Sequence, residues 1–530
     1  MRAGDFTRIP GRALVLWLAC STAISAQDAG RGTPPPQPQD PLSVIDWLGT
    51  KPSPAVQRQR PPAAPHRPEP AIAKGALPPS VTVSPLGDGG PREIGLVPAS
   101  VTGLPAGLWE GSAGDKLIHR LDDLPDPQLP AAQALLYTLL LADARAPRGG
   151  VAEGDALALA RVRKLMTLGA LDPAMSLIEQ AGVATSVDHF ELWMQISLLT
   201  GTEDRPCATL QDNPHLTRDY ALRIFCTART GDWEDAALIF GSVQALGLID
   251  ADKIDLMDRF LNPEAYEGLA PLRAPRGTDP LSFRVFEAIG EPLPTRSLPR
   301  AFAVADLRDV SGWKAQIEAA ERLTRAGALP DNYLLGLYTD RRPAASGGIW
   351  DRVARFQRFE TAIDQGSDAA ISQTLPDVWD AMKEAQIEVT FATLFANRLG
   401  GFDLTGRAAD LAEKIALLSP DYETAATRMT LSEYPLAVAV ARGSTPPLRP
   451  EEPVPGAIFD AFRDAPPRED LLAQTREGRL GESIVALISL LGNGASGDTV
   501  ALRDALATLR ALGLEDTARR AALQILLLER

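Results

Sequence analysis

The chain has 530 residues, with 53 Lys and Arg against 68 Asp and Glu, giving a formal net charge of −15. That acidic balance argues against nucleic acid as a general partner, because phosphate binding needs clustered cations. The length allows two to four globular domains or one long repeat array.

The first 26 residues read as an export signal. Arg2, Arg8 and Arg12 form a positive n-region, Ala13 to Ser25 a short apolar run, and Ala23 to Ala26 offers small residues for cleavage after Ala26. The run is too short to span a bilayer comfortably. No other long apolar run follows, so the mature chain is expected to be periplasmic and to lack a transmembrane segment. A lipoprotein route would use Cys20, but Trp17 stands where a lipobox carries Leu.

Residues 27–130 read as a proline-rich extended arm. Stretches such as "TPPPQPQDP" and "KPSPAVQRQRPPAAPHRPEP" bury too little apolar surface to offset their ordering entropy. Arg58, Arg60, His66 and Arg67 make the arm locally basic. Apolar islands interrupt it. In "DPLSVIDWLG", Asp40 is an N-cap, Pro41 takes the first helical position, and Leu42, Ile45 and Leu48 share a face beside Trp47. A helix this short is marginal alone, so these four residues are candidate contacts, either to a partner or to the chain's own body. The segment Ile94 to Trp109 is extended or β-leaning and is a further docking candidate.

From 131 to 530 the composition turns to Ala, Leu and Arg with period 3.6. "AAQALLYTLLLADA", "DALALARVRKLMTLG" and "TARRAALQILLLER" are helices separated by short Gly, Asp, Asn and Pro gaps. The fold class is all-α. Proline-rich stretches at 263–299 and 442–455 are expected to be long loops or seams. Asp279-Pro280 repeats the Asp-Pro signal of a helix start. With export, Cys207 and Cys226 are expected to form a disulfide rather than a metal or nucleophilic site.

A recurring pattern runs through the helical region: Gly231, Trp233, Ala236, Phe240; Gly169, Leu171, Ala174, Ile178; Gly478, Leu480, Ser483, Leu487; and, with departures, Gly513 and Ala518. Glycine permits a tight turn, the small residue lets two helices approach, and the large residue fills the layer between repeats. The pattern resembles the second helix of a tetratricopeptide repeat. It covers scattered units, with a degenerate first-helix half. The resemblance implies an α-solenoid.

The inventory for chemistry is sparse. Four histidines are scattered, and no zinc-protease, nucleophile-elbow, dinucleotide, Walker A or EF-hand pattern occurs. No catalytic, cofactor or metal residue is therefore assigned, and the chain is read as a non-enzyme. The stretch "TDRRPAASGGIWDRV", Thr339 to Val353, holds Arg341, Arg342 and Trp350 beside a Ser-Gly-Gly bend. It reads first as a helix connection, with Ser346 or the glycines starting the next helix. Its second reading is a partner or anion contact.

The signal, the arm with "DPLSVIDWLG" and the Ala/Leu-rich repeats together resemble alphaproteobacterial periplasmic flagellar-motor proteins of the MotK type. That resemblance implies a non-catalytic scaffold for the stator or basal body. It transfers no functional residue. The alternatives are an adaptor for outer-membrane, secretion or peptidoglycan machinery and, third, a cell-wall-active enzyme.

Overall fold

The fold is seen in a computed structural model that describes residues 93–148, 151–429 and 432–528. The signal segment, Cys20 and the candidate contacts Leu42, Ile45, Trp47 and Leu48 lie outside the described residues.

The described chain is all-α apart from one antiparallel pair of two-residue strands, β1 (Glu93–Ile94) and β2 (Ala144–Arg145). Its first helices are α1 (Ala99–Thr102), α2 (Gly114–Asp123), α3 (Pro130–Leu141), α4 (Val151–Leu168), α5 (Leu171–Ala181) and α6 (Val187–Thr200). Then come α7 (Asp204–Asp212), α8 (Tyr220–Arg229), α9 (Trp233–Ala245), α10 (Ala251–Leu261) and α11 (Pro280–Ala288). A 3-10 segment, Arg300–Leu307, leads to α12 (Trp313–Thr324), α13 (Asp331–Asp340), α14 (Ile349–Asp364), α15 (Asp368–Ala385) and α16 (Glu388–Leu399). The last are α17 (Arg407–Leu418), α18 (Tyr422–Arg428), α19 (Pro435–Ala441), α20 (Pro453–Arg463), α21 (Glu469–Arg476), α22 (Leu480–Ala495), α23 (Thr499–Ala511) and α24 (Glu515–Leu527).

Local chemistry sets many of these boundaries. Ser186, Asp219, Asp279, Ser367 and Asp498 each accept a hydrogen bond from a first-turn amide, worth about 1 kcal/mol apiece. Asp279 with Pro280 starts α11, as the Asp-Pro spacing predicts. The four turn glycines, Gly169, Gly231, Gly478 and Gly513, all have positive φ. The small residues that follow them, Ala174, Ala236, Ser483 and Ala518, are fully buried where α4 meets α5, α8 meets α9, α21 meets α22 and α23 meets α24.

Sequence neighbours pack side by side along most of the chain, but the two ends also meet. Helix α3, "PAAQALLYTLLL", is apolar nearly all round, which requires burial on more than one side. It packs on α4, α22 and α24. The Ala131 amide donates to Gln524 Oε1 at 2.8 Å, joining residues 393 apart in sequence. On another side, Gln133 Nε2 donates to Arg325 O at 2.9 Å and the Tyr137 hydroxyl to Ala326 O at 3.1 Å.

Composition ends the extended arm at 130, but the packed body already includes residue 93. Trp109, Leu108, Leu117 and Leu121 are fully buried. The Ile94–Trp109 stretch, a docking candidate in the sequence, docks on the chain's own body, through partners at the far end of the chain that its proline-rich surroundings do not reveal. Gly111 N donates to Gly478 O, and Gly481 N to Leu108 O, both at 3.0 Å. Arg161 of α4 completes the anchorage. Its guanidinium donates to Ile94 O and Leu140 O at 2.7 Å and to Ala142 O at 2.9 Å. Burial lowers its pKa to about 10, against the pull of Asp143, so it stays charged at neutral pH.

The proline-rich stretches do not divide this body. The first contains α11, whose buried Phe283 and Phe286 belong to the main core as it packs on α6 and α10. At the second, Arg442 donates to the carbonyls of Ala426 and Met429, holding α19 against α18.

Candidate functional site

Cys207 of α7 and Cys226 of α8 form a disulfide, and both are buried. The bond rules out a thiol nucleophile or thiolate metal ligand at this pair. Among the described residues, no group of three or more His, Cys, Asp or Glu is placed to hold a metal ion.

Beside the disulfide lies an ionic network. Glu203 is fully buried and accepts from Arg284 at 2.9 Å and Arg229 at 3.3 Å. Arg284 also pairs with Glu287, which accepts from Arg308 at 2.5 Å. Burial works against the Glu287 charge, but hydrogen bonds from Arg308 and Arg284 outweigh it and hold the carboxyl below its ordinary value. The network ties α7, α8 and α11 to Arg308. Arg229 also pairs with Asp204 at 2.8 Å, so three arginines meet three carboxylates and the network is a structural clamp.

The Thr339–Val353 stretch connects α13 to α14. Its glycines make the bend: Gly348 is the N-cap, and Gly347 has φ 95°. The Gly347 amide donates to Asp351 Oδ1 at 2.9 Å. Gln357 Nε2 donates to Tyr338 O and Arg341 O, fixing the turn. Arg341 pairs with Asp340 at 2.9 Å, Arg342 is exposed, and the Trp350 ring lies 5.1 Å from that of Trp313.

The surface most unlike the rest is α9 with α10 and the turn after it. Of twelve exposed large apolar residues among the described ones, five lie between 233 and 269: Trp233, Leu238, Leu246, Leu248 and Leu269. The other seven are scattered from Leu96 to Val500, and isolated exposure of that kind needs no explanation. On α9, Ala236, Phe240 and Val243 pack inward. Leu238, Gly241 and Ala245 fall on the opposite face and are exposed. Trp233 leans on Phe260 of α10 with ring centroids 5.4 Å apart, yet stays 47% exposed.

The same segment is strongly acidic. Residues 232–267 contain nine Asp and Glu and two cations, Lys253 and Arg259. Both cations are engaged by acids outside the segment. Lys253 meets Asp219 and Asp279 at 3.3 Å each, and Arg259 meets Glu291 at 2.9 Å. Burial disfavours the Lys253 charge, but the two aspartates outweigh it and raise its pKa. Lys253 also borders a cleft of about 590 Å³ along α6, floored by Phe190, Met194, Leu198 and Leu281, with Asp188 and Glu191 on its rim.

Sequence periodicity misses this surface because α9 has a well-formed packed face and so reads as an ordinary repeat helix. Two signals for it are nevertheless in the sequence. Leu238 lies off the 3.6-residue stripe of Ala236, Phe240 and Val243, and acids outnumber cations nine to two. No family model, curated protein or solved structure matches the chain.

Proposed function

We propose that the chain is a non-catalytic scaffold of the periplasm, built as a tetratricopeptide-like α-solenoid, that binds other envelope proteins and serves the flagellar motor at its stator. The observation that carries the binding role is the gathering of open apolar side chains on α9 (Trp233, Leu238) and in the turns that follow α9 and α10 (Leu246, Leu248, Leu269). Contiguous exposed apolar surface marks interaction sites. The turn glycines and fully buried small residues support the repeat reading. Export is supported by the buried disulfide, a bond that persists in oxidising compartments. No described helix is long and apolar enough to cross a membrane. The motor assignment rests on the resemblance in signal, arm and repeat composition.

The test is in-cell photo-crosslinking from Trp47 and from Leu238, with swimming of the deletion strain scored in parallel. Crosslinks to stator or basal-body proteins together with lost swimming are expected. Crosslinks to secretion or cell-wall proteins with normal swimming would move the chain to a general envelope adaptor. Glycan cleavage by the purified protein would overturn the non-enzyme assignment.

A further inference from the structure

We infer that the α9–α10 surface docks a basic amphipathic helix of a partner protein; this rests on the scaffold reading above and specifies the chemistry of its partner. The apolar part of the surface is a helix face. Leu238 stands at its centre, Leu246 and Leu248 at its C-terminal end, and Gly241 and Ala245 lie between.

Gly241, Gly336 and Gly492 are helix glycines whose added Cβ would meet no described atom, and of these Gly241 lies on the face that carries Leu238. A glycine inside a helix costs roughly 1 kcal/mol relative to alanine. Nothing among the described residues requires Gly241, because a Cβ there would meet none of their atoms within 4 Å. It leaves a shallow spot on an exposed face, flanked by Ala237 and Ala245, where a second helix axis can come close. An incoming helix can place large apolar side chains there at i, i+3 and i+4 spacing.

Charge selects among occupants. Asp232, Glu234 and Asp235 stand at the start of α9, and Asp250, Asp252 and Asp255 at the start of α10, all of them exposed. A second copy would bring the same acids against themselves, and like-charge juxtaposition opposes that pairing. An anionic lipid surface is disfavoured for the same reason. A helix with Lys or Arg on its polar side satisfies both parts of the surface. The Cys207–Cys226 bond and the Glu203 network fix α7 and α8 beneath it, so the surface is formed before the partner arrives.

The experiment is a fluorescence-anisotropy titration of the full mature chain with a labelled eighteen-residue helix built only from leucine and lysine. A second probe replaces each lysine by glutamate. The lysine probe is expected to bind, and to bind at least tenfold more weakly in 0.5 M salt; the glutamate probe is expected not to bind. The charge-neutral double variant Leu238→Ser/Leu246→Ser should weaken binding at least tenfold with the thermal midpoint unchanged. Val310→Ser/Leu448→Ser, which alters exposed apolar residues elsewhere, should leave binding intact. Equal binding to both double variants, or equal binding of both probes, would overturn the proposal. So would a dimer that Leu238→Ser/Leu246→Ser dissociates. If the unmodified chain does not bind the lysine probe while Leu238→Ser/Leu246→Ser loses swimming, the basic helix falls and the scaffold stands. Probe binding lost in a variant that still swims normally would keep the docking surface and remove its motor role.

Discussion

Two helix glycines, Gly481 and Gly241, mark opposite solutions to one packing problem. At Gly481 in α22, a Cβ would sit 2.2 Å from the Trp109 ring, so the missing side chain is filled by an aromatic from the chain's own N-terminal segment. At Gly241 in α9, the missing side chain faces open space. The tryptophans of the two regions differ in the same sense: Trp109 is fully buried at the seam, while Trp233 is nearly half exposed beside α10. The seam is closed by an intramolecular partner, and the α9–α10 surface has the features of a seam whose partner is another molecule. Gly481 thus has a close approach within its own chain, and Gly241 leaves room for one.

The comparison breaks most easily at Trp109. Trp109→Ala empties the seam and should cost about 4 kcal/mol, read as a lower denaturant midpoint. The indole Nε1 has no hydrogen-bond acceptor among the described residues, so packing alone must account for the loss. Reducing the Cys207–Cys226 disulfide should cost about 3 kcal/mol on the loop-entropy view. Hydrogen exchange should then rise in α7 and α8 before it rises at the seam. Gly481→Ala forces a methyl group into the Trp109 ring and should destabilise by about 2 kcal/mol, with Trp109 fluorescence moving to the red as the ring shifts.

A smaller effect separates the clamp beneath α8 from the seam. In Glu287→Gln the lost contribution should be on the order of 1 kcal/mol at neutral pH. The native carboxyl lies below its unfolded value, so its stabilisation is complete above the ordinary glutamate range. It declines as pH falls below about 4.3 and through the lowered native value. The difference between wild type and Glu287→Gln should therefore close on acidification. A gap that stayed constant to pH 2 would show that Glu287 acts by shape alone.

Much of the fold was legible in the sequence. Period 3.6 marks the helices, Asp279-Pro280 a helix start, and the turn glycines the helix pairs. Cys207 and Cys226 could be paired once export was inferred. At the seam, Ile94 to Trp109 reads as a docking segment, but its site on α22 and the burial of Leu117 do not, because the partner residues arrive only after the chain has returned. Arg161 was equally hidden: a cation in "DALALARVRKL" looks solvated until Ile94, Leu140 and Ala142 present three carbonyls to it. Arg341, Arg342 and Trp350 read first as part of a helix connection and second as a contact, because basic and aromatic residues at a glycine bend suit one. The structure puts them on a connector whose bend is held by Asp351 and Gln357. The α9 surface needed solvent exposure to reveal it, since periodicity reports which face can pack and not which leucines remain uncovered.

The smallest predicted effect is the most discriminating, because it reverses sign between the two glycines. Gly241→Ala should raise stability by about 0.5–1 kcal/mol, since alanine removes the backbone-entropy cost and its methyl group meets nothing among the described residues. A raised thermal midpoint in Gly241→Ala, set against the loss in Gly481→Ala, would show that the free protein bears a cost at 241 with no return inside its own fold. If the same alanine also weakens the basic probe helix, the return lies in that contact, where one methyl group is enough to hold two helix axes apart. A Gly241→Ala protein that gains stability and binds the probe unchanged would place the docked helix away from the centre of α9, toward Leu246 and Leu248. A variant that lost stability would mean that position 241 already has a neighbour, and the contrast with Gly481 would fall.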